Sequence, residues 1–374
     1  MDQLYLIYPE NAEAGALETL PFTKGLTLLS EKEYIRLSPT LASSSKICVT
    51  SEATLETILQ NLADTSKVKA IEVMKDKYLF RKLLQKQFPT LGYKEIDFNE
   101  IKDLSITFKK VIKPIKGCFG TAVKIIDNDS NLEEIATEIA QEIAVNSSVL
   151  SDSVLSKTEF ILEDYIAGEE YAVDMFYDQN GVPHITNIYY HPLPKHEEYL
   201  HMIYYSSQVV FNQVHDKAIS FFTKFNTTLH VKDMVLHAEF KYGKELIPIE
   251  INPMRFGGMG LGNMIFYGTK INPYACFIEG KGPNWKNIWE HYPNDNFVYF
   301  IAYNGTNINK NIEEPNIDAL EQEFSCILNK TVFDYKKQLA FAVYSLKESS
   351  ENIEKLLQLN FNNFFKAIPS KTNE

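Results

Sequence analysis

The residues best suited to chemistry lie in residues 246–260, which read LIPIEINPMRFGGMG. Apolar and polar residues alternate through this stretch, a pattern that predicts a strand with one apolar face. The apolar set is Ile247, Ile249 and Ile251. Glu250 and Asn252 then project from the same side of the strand, about 7 Å apart along it. A carboxylate and an amide oxygen placed in this way suit a cation that prefers oxygen ligands, such as Mg²⁺.

A second acidic residue, Glu239, is predicted to face this pair. Residues 234–243 (MVLHAEFKYG) alternate in the same way, and turn residues around Gly243 predict a hairpin between the two strands. Such a hairpin brings Glu239 opposite or diagonal to Glu250. Because two neighbouring carboxylates repel each other, a cation between them is favoured. The pattern leaves one alternative open, a sheet face whose Glu and Asn side chains simply meet water.

Arg255 follows Glu250 by five residues, and glycines come next at positions 257, 258 and 260. Arginine is rare in this chain: the 37 basic residues include three, at positions 36, 81 and 255. An arginine beside the acidic residues therefore suggests planar, bidentate recognition of an anion. Gly257, Gly258 and Gly260 would let backbone amides approach that anion closely.

A second glycine-bearing segment lies in residues 109–126. KKVIKP predicts a strand, IKGCFGT a loop and AVKII a return strand, which together form a flap able to close over phosphates. Lys113, on the entering strand, would add a positive charge. An ordinary hairpin with a surface lysine is the alternative. Before it, residues 75–87 predict an amphipathic helix with Tyr78, Leu79, Leu83 and Leu84 on one side.

Residues 160–176 predict a strand that breaks at Ala167-Gly168 and then resumes. A flat ring could lie against the exposed backbone of such a break, and Glu170 could accept hydrogen bonds from a ribose. The alternative is an acidic bend. The next segment carries histidines at 184, 191, 196 and 201, whose spacing matches no common zinc site. A mobile loop in which His191, Lys195 and His196 contact a substrate is one interpretation, and a plain surface loop is the other.

The bulk properties limit the class of protein. A chain of 374 residues predicts two to four subdomains, and 45% hydrophobic residues indicate a globular fold. The net charge of −12 and the absence of a basic stripe argue against nucleic-acid binding. The four cysteines form no CxxC pair, which favours free thiols in a reducing compartment. No signal peptide or membrane span is evident, so we expect a soluble, cytoplasmic protein.

The remaining elements are predicted from their periodicity. At the N-terminus, Leu4–Tyr8 and residues 46–50 read as strands and residues 52–62 as a helix, without the GxGxxG of a dinucleotide site. Residues 132–145 predict an amphipathic helix. Residues 296–303 and 339–344 predict strands, and residues 348–365 a final helix.

Four motifs in order resemble the ATP-grasp superfamily: the DK-containing helix, the KPxxGxxG flap, the E-x-x-I-x-G-x-E-x-x-V-D stretch and the E-I-N-P strand. The resemblance is to the carboxylate–amine ligase type, similar to L-amino acid ligases, D-alanine–D-alanine ligase and biotin carboxylase-like proteins. It runs from about residue 75 to residue 262. It implies an α/β and α+β fold with a Rossmann-like N-terminal domain, two α+β subdomains that clasp ATP, and a C-terminal α+β extension. The expected boundaries are 1–74, 75–165, 166–310 and 311–374.

The resemblance also implies roles for particular residues. Lys77 and Lys113 resemble the lysines that hold the α- and β-phosphates, under a flap containing Gly117 and Gly120. Glu163 and the backbone near Tyr165 and Ile166 resemble the adenine hinge, and Glu170 the ribose-binding acid. Glu239, Glu250 and Asn252 resemble the metal ligands, and Arg255 the arginine that steadies the reacting phosphate or the oxyanion. His191, Lys195, Gly257 and Gly258 join Arg255 as candidate substrate contacts.

Two departures from the family pattern affect these roles. Many members read ENPR, whereas here Met254 is inserted before Arg255, which leaves the role of the arginine open. The flap has Cys118-Phe119 where serines or further glycines are common.

The activity implied is ATP-dependent joining of a small carboxylic acid to an amine, with Mg²⁺, or alternatively Mn²⁺, as the metal. Family members phosphorylate the carboxylate, release ADP, and form an amide with loss of phosphate. Two alternatives stay open, a biotin-carboxylase-like activation of bicarbonate and a non-catalytic ATP-binding partner or sensor. A homodimer is compatible with the family, and no nucleic-acid or membrane partner is expected. The general base and both substrates are not readable from the sequence.

Overall fold

The computed structural model describes residues 3–10, 23–41, 45–117, 120–146 and 155–368. Cys118 and Phe119 of the predicted flap lie outside these residues. None of the helices within the described ranges is long and apolar enough to cross a membrane.

The N-terminal part is a three-stranded parallel sheet with strand order β2-β1-β3. Its elements are β1 (Leu4–Tyr8), β2 (Leu26–Ser30), α1 (Glu31–Leu37), β3 (Lys46–Val49), α2 (Leu55–Asn61) and α3 (Thr65–Lys75). The predicted first strand is confirmed, and the second ends one residue early. The strand β2 was not predicted. A 3₁₀ turn at Glu52–Thr54 precedes α2, within the segment predicted as one helix.

The second part is a four-stranded antiparallel sheet with order β4-β7-β5-β6. Its elements are α4 (Lys77–Leu84), β4 (Tyr93–Asp97), β5 (Lys110–Pro114), β6 (Lys124–Ile126), α5 (Leu132–Asn146) and β7 (Glu159–Asp164). The strands β5 and β6 pair as the predicted flap requires.

The buried face of α4 differs from the prediction. Asp76 ends α3 and caps α4 by accepting the Leu79 N–H at 2.8 Å, so the helix begins at Lys77 and not at residue 75. The buried side chains of α4 are Lys77, Phe80, Arg81 and Leu84, whereas Leu79 is 38% exposed. The prediction failed because periodicity cannot anticipate that a lysine and an arginine are buried by partners elsewhere in the chain.

The third part contains the largest sheet, eight strands with order β12-β11-β8-β9-β10-β13-β16-β15, in which every neighbouring pair is antiparallel. Its elements through residue 291 are β8 (Glu169–Tyr177), β9 (Pro183–His191), β10 (Ile203–Ser206), α6 (Gln208–Leu229), β11 (Met234–Tyr242), β12 (Leu246–Pro253), α7 (Met264–Thr269), α8 (Pro273–Glu279) and α9 (Trp285–His291). The predicted break at residues 167–168 separates β7 from β8 and places them in different sheets.

The C-terminal residues extend this large sheet. Their elements are β13 (Asn296–Tyr303), β14 (Glu313–Pro315), α10 (Ile317–Glu321), β15 (Ile327–Val332), β16 (Ala340–Glu348), α11 (Ser350–Leu356) and β17 (Phe365–Ala367). The strands β13, β15 and β16 belong to the eight-stranded sheet, and β14 pairs with β17. The predicted strand at 296–303 is confirmed, whereas the long final helix predicted at 348–365 is wrong, since α11 ends at Leu356.

Alternation along β11 explains why one face of the large sheet is available for chemistry. Phe240 points to the face covered by α6, with its ring 5.3 Å from that of Phe221 and 5.8 Å from that of Phe222. Burying an aromatic ring of this size contributes about 2–3 kcal/mol. Because neighbouring side chains on a strand point to opposite faces, His237, Glu239 and Lys241 lie on the other face.

Candidate active site

The acidic pair predicted from the sequence lies on the hairpin formed by β11 and β12. The register places Glu239 directly opposite Glu250, and His237 opposite Asn252, which confirms the predicted hairpin. The register then shifts, since Phe240 pairs with Pro248, so that Ile249 is a bulged residue. The bulge changes which apolar residues are buried: they are Leu246, Pro248, Ile251 and Pro253, whereas Ile247 and Ile249 are half-buried. Of the predicted apolar set, Ile251 is confirmed as buried, and Ile247 and Ile249 are not.

The environment of Glu239 favours a bound cation. Burial, together with the carboxylates of Glu250 and Glu170, raises the pKa of the Glu239 carboxyl to about 7, while His237 acts in the opposite direction. A divalent cation beside these oxygens would offset both burial and repulsion. Among the described residues no cluster of three or more His, Cys, Asp or Glu side chains is arranged for a metal. Two carboxylates and the Asn252 amide instead offer an all-oxygen donor set, which is what Mg²⁺ prefers.

Two lysines flank this donor set because Asp76 joins α3 to α4. Lys75 Nζ lies 3.1 Å from Asn252 Oδ1 and 3.9 Å from Glu250 Oε1. Lys77 Nζ lies 3.8 Å from Glu250 Oε1 and donates a hydrogen bond of 3.0 Å to the Gly117 carbonyl oxygen. The predicted phosphate-binding lysine is thus placed between the acidic pair and the start of the flap. Lys75 was not predicted as a site residue, although its position two residues before the predicted phosphate-binding Lys77 could have indicated one.

Met254 turns the chain immediately before Arg255. It adopts a left-handed backbone conformation with φ 67°, its side chain is buried, and its carbonyl oxygen accepts the Val49 N–H of β3 at 2.7 Å. The inserted residue therefore absorbs the turn at the end of β12. Arg255 then reaches Glu52 of the N-terminal part, with 2.7 Å between its Nη2 and Glu52 Oε1.

Lys113 and Glu163 contact each other directly. The Lys113 ammonium pairs with Glu163, and Arg81 Nε lies 2.6 Å from the other carboxylate oxygen, Oε2. Burial would raise the pKa of Glu163, but Lys113 and Arg81 outweigh it and lower that pKa to about 2. Arg81 also donates a hydrogen bond of 2.6 Å to the Pro248 carbonyl oxygen, two residues before Glu250. Sequence reasoning missed Arg81, although its rarity was a signal.

The flap and the hinge lie on either side of this ion pair. Gly117 follows β5, and Gly120 has φ 67° with open space around the position of a Cβ. Beyond β7, the Tyr165 N–H donates to the Lys109 carbonyl oxygen at 3.2 Å, and the Lys109 ammonium lies 4.4 Å from the centre of the Tyr165 ring. Ile166 is buried.

Glu170 contacts two basic side chains. Glu170 Oε1 lies 2.7 Å from His191 Nδ1, and Oε2 lies 2.7 Å from Lys241 Nζ. Burial would raise the pKa of Glu170, but these partners lower it to about 2. His191 is buried at the end of β9, and its Nε2 donates to the Leu200 carbonyl oxygen at 2.8 Å. The prediction that His191 belongs to a mobile loop is therefore wrong.

The other two residues of that predicted loop follow β9. Lys195 is exposed and its N–H donates to the Leu357 carbonyl oxygen at 2.9 Å, whereas His196 is half-buried and precedes a 3₁₀ turn at Glu197–Tyr199.

A buried carboxylate fixes the glycine segment after Arg255. Asp174 Oδ1 accepts the Gly257 N–H at 2.9 Å and lies 2.7 Å from His237 Nδ1, while Asp174 Oδ2 accepts the Tyr189 hydroxyl at 2.7 Å. A Cβ at Gly258 would lie 3.5 Å from Arg255 Nη1, so this glycine passes close to the guanidinium. Asp174 and His237 were not predicted as site residues, although His237 alternates with Glu239 on the same strand face.

The geometry thus brings together residues from three parts of the chain. Lys77, Asn252, Glu250 and Arg255 are linked by contacts of at most 3.9 Å through Lys75 and Glu52. Glu239 faces Glu250. Burial lowers the pKa of Lys113, and the nearby charges of Arg81 and Lys77 act in the same direction, which places these three cations close together. A cluster that combines several cations with an acidic, oxygen-only pair suits a polyphosphate together with a divalent cation.

Comparison with known proteins agrees with this chemistry. A family model for the ATP-grasp domain matches residues 106–263. No curated protein sequence matches the chain. Among solved structures, the L-amino acid ligase from Bacillus licheniformis is similar with a TM-score of 0.66 at 15% identity, over 99% of both chains.

Two further structures extend this similarity. The N5-carboxyaminoimidazole ribonucleotide synthetase from Thermotoga maritima has a TM-score of 0.62 at 13% identity, over 99% of this chain and 100% of that chain. The third structure is the biotin carboxylase domain of the 2-oxoglutarate carboxylase from Hydrogenobacter thermophilus, solved with MgADP and bicarbonate. It has a TM-score of 0.56 at 14% identity, over 92% of this chain and 81% of that chain. At these identities the similarity establishes the fold. Residues 106–263 match the ATP-grasp domain model, and the described chain as a whole has the ATP-grasp fold.

Proposed function

We propose that this protein is an ATP-dependent ligase that joins a carboxylate to an amine through an acylphosphate. The observation that carries the proposal is the direct opposition of Glu239 and Glu250, with Asn252, Lys77 and Arg255 beside them. Opposed, half-buried carboxylates would be unfavourable without a cation, and the surrounding lysines and arginine are suited to phosphate oxygens. The ATP-grasp fold supports the proposal, and the structures similar to this chain include the L-amino acid ligase from Bacillus licheniformis.

ATP is the proposed phosphoryl donor. Lys77 and Lys113 would hold its α- and β-phosphates under the flap that contains Gly117 and Gly120. Glu163, Tyr165 and Ile166 would border the adenine, and Glu170 would accept hydrogen bonds from the ribose. In the structure Glu163 and Glu170 are held by cationic partners, so both carboxylates are fixed as charged acceptors. Mg²⁺, held by Glu239, Glu250 and Asn252, would neutralise charge on the transferring phosphoryl group.

The reaction then has two steps. A carboxylate oxygen of the acid attacks the γ-phosphorus, the bond to the β-phosphate oxygen breaks, and ADP leaves. The amine nitrogen next attacks the acyl carbon, loses a proton, and expels phosphate to leave the amide. Arg255 would stabilise negative charge in both steps, and the Gly258 amide would lie beside it. The Gly257 amide already donates to Asp174, so we assign the substrate contacts to Arg255 and Gly258, Gly257 to fixing this segment, and His191 to the support of Glu170.

Product analysis tests this function directly. Purified protein, ATP and Mg²⁺ are incubated with an equimolar mixture of the twenty L-amino acids, with a pool of small carboxylic acids plus amines, or with bicarbonate. ADP and phosphate released with either of the first two pools support the ligase. AMP and pyrophosphate would contradict the acylphosphate mechanism. ADP released with bicarbonate alone would indicate a carboxylase-like reaction, and tight ATP binding without turnover in any pool would indicate a binding protein.

A further inference from the structure

Glu52 belongs to the N-terminal part of the chain, yet it lies within the proposed reaction centre. It begins the 3₁₀ turn Glu52–Thr54 just after β3, and the Ser51 side chain caps that turn by accepting the Ala53 N–H. Its two carboxylate oxygens contact different cations: Oε2 lies 2.6 Å from Lys75 Nζ, and Oε1 lies 2.7 Å from Arg255 Nη2. Glu52 is 7% exposed, so water screens these contacts little.

Arg255 is held on two of its three donor nitrogens. Nη2 is bound by Glu52, and Nη1 donates to the Phe256 carbonyl oxygen at 3.2 Å. The remaining donor, Nε, is buried and has no hydrogen-bond partner within the described chain. Because an unpaired buried donor costs about 1–3 kcal/mol, an arginine fixed in this way is suited to an incoming acceptor.

The same carboxylate fixes Lys75. Besides Glu52, Lys75 Nζ contacts the proposed metal ligand Asn252, at 3.1 Å from its Oδ1. Glu52 therefore connects Arg255, which would face the acyl group, with Lys75, which contacts the proposed metal ligand on β12. The backbone reinforces the link, since the Val49 N–H of β3 donates to the Met254 carbonyl oxygen at 2.7 Å, one residue before Arg255.

We propose that Glu52 is a positioning residue that orients Arg255 and Lys75 together, so that Arg255 Nε is presented to an oxygen of the reacting acyl or phosphoryl group. This inference rests on the proposed function and adds the N-terminal part of the chain to the reaction centre. Burial alone would raise the pKa of Glu52, but Lys75 and Arg255 lower it to about 2, so the Glu52 carboxylate keeps its negative charge at neutral pH.

The kinetic test compares Glu52→Gln with Glu52→Asp and with the control Glu56→Gln, which alters a half-buried glutamate of α2 one turn further along. The twenty L-amino acids, ATP and Mg²⁺ are supplied with hydroxylamine, which converts an acylphosphate into a hydroxamate and phosphate. Glu52→Gln keeps one acceptor oxygen but loses the charge that holds both cations. We expect kcat for hydroxamate formation to fall about 10- to 100-fold. The KM for ATP should change little, Glu52→Asp should be intermediate, and Glu56→Gln should behave as the wild type.

A chemical test is independent of turnover. Phenylglyoxal modifies accessible arginines, and mass spectrometry can compare Arg255 with the exposed Arg36 in the same sample. Glu52→Gln should increase the modification of Arg255 relative to Arg36 several-fold, because the guanidinium is released. If the wild type forms no hydroxamate, the proposed ligase function fails for these acids, and the labelling result alone decides the positioning role.

Two results would overturn the inference. One is unchanged labelling of Arg255 in Glu52→Gln. The other is a parallel loss of ATP affinity, kcat and thermal stability in that variant, because Glu52 would then support the fold in general.

Discussion

Glu239 lies directly opposite Glu250 on neighbouring antiparallel strands, and burial together with the facing carboxylate raises the pKa of Glu239 to about 7. Without a cation the two facing carboxylates therefore lower the stability of the fold, whereas the same arrangement favours the binding of a cation. Folding stability and cation binding therefore place opposite demands on these two residues, and each can be measured separately.

Replacing Glu250 by Gln separates the two effects. We expect turnover with the twenty L-amino acids to fall at least about 100-fold, because a metal ligand is lost. The melting temperature should stay the same or rise, since one of two repelling carboxylates is removed. ADP release and thermal unfolding are the measurements. Glu245→Gln, at the exposed turn of the same hairpin, is the matched control. Full activity of Glu250→Gln would rule out the proposed metal site.

Arg81 should matter for stability more than its position on a helix suggests. It is 2% exposed and joins Glu163 to the Pro248 carbonyl oxygen. Arg81→Met leaves Glu163 with Lys113 alone and should lower the free energy of unfolding by about 3 kcal/mol. Urea denaturation measures this change. Arg36→Met, at an exposed site on α1, should have little effect, and equal effects of the two variants would contradict the role of the buried pair.

The same variant is expected to weaken ATP binding. Arg81 holds the carboxylate that contacts Lys113, the residue proposed to bind phosphate. Calorimetry with ATP and Mg²⁺ at a temperature well below the unfolding transition separates this effect from the loss of stability.

His201 predicts a pH dependence of stability in mildly acidic solution. Burial, together with the neighbouring His191, lowers its pKa to about 4, against about 6.5 in an unfolded chain. The unfolded state therefore takes up a proton that the folded state does not, as the pH falls from about 6.5 to about 4. His201 contributes stability fully above this window, and that contribution is lost progressively within it.

Chemical denaturation at several pH values measures the slope of the unfolding free energy. In His201→Gln the slope between pH 6.5 and 4 should be shallower than in the wild type. His215→Gln on α6 is the control for loss of a histidine. An unchanged slope in His201→Gln would show that His201 is not the group responsible.

Gly168, between β7 and β8, is fixed by a close backbone approach. Its φ is 139°, and an added Cβ would lie 2.5 Å from the Tyr242 carbonyl oxygen at the end of β11. Gly168→Ala should lower the unfolding free energy by at least about 2 kcal/mol, because it combines strain with a backbone clash. Gly120→Ala is the comparison, since Gly120 has a positive φ but open space around it. Its cost should be about 1 kcal/mol, and equal costs at the two sites would contradict the clash.

Elements whose evidence is local could be predicted from the order of the residues. Alternation predicted β11, β12 and β13, and the hairpin between β11 and β12 follows from the turn around Gly243, so Glu239 and Glu250 could be placed face to face. The order of four short motifs indicated the ATP-grasp fold, because each motif is a few residues long and needs no knowledge of distant contacts. The strand that carries Lys113 and the flap that follows were predictable for the same reason.

The side chains that hold these elements together could be identified only from the packed fold. Glu52 and Arg255 are 203 residues apart in the chain, and Arg81 and Glu163 are 82 apart. Periodicity treats a charged residue as exposed, and so it cannot identify one that is buried by a partner from another part of the chain. The start of α4 at Lys77 and the bulge at Ile249 were missed because a cap and a register shift replace the regular pattern there. The spacing of residues along the chain thus predicts the regular parts of the fold, whereas the charge network around the proposed site forms only when the sheets and helices pack.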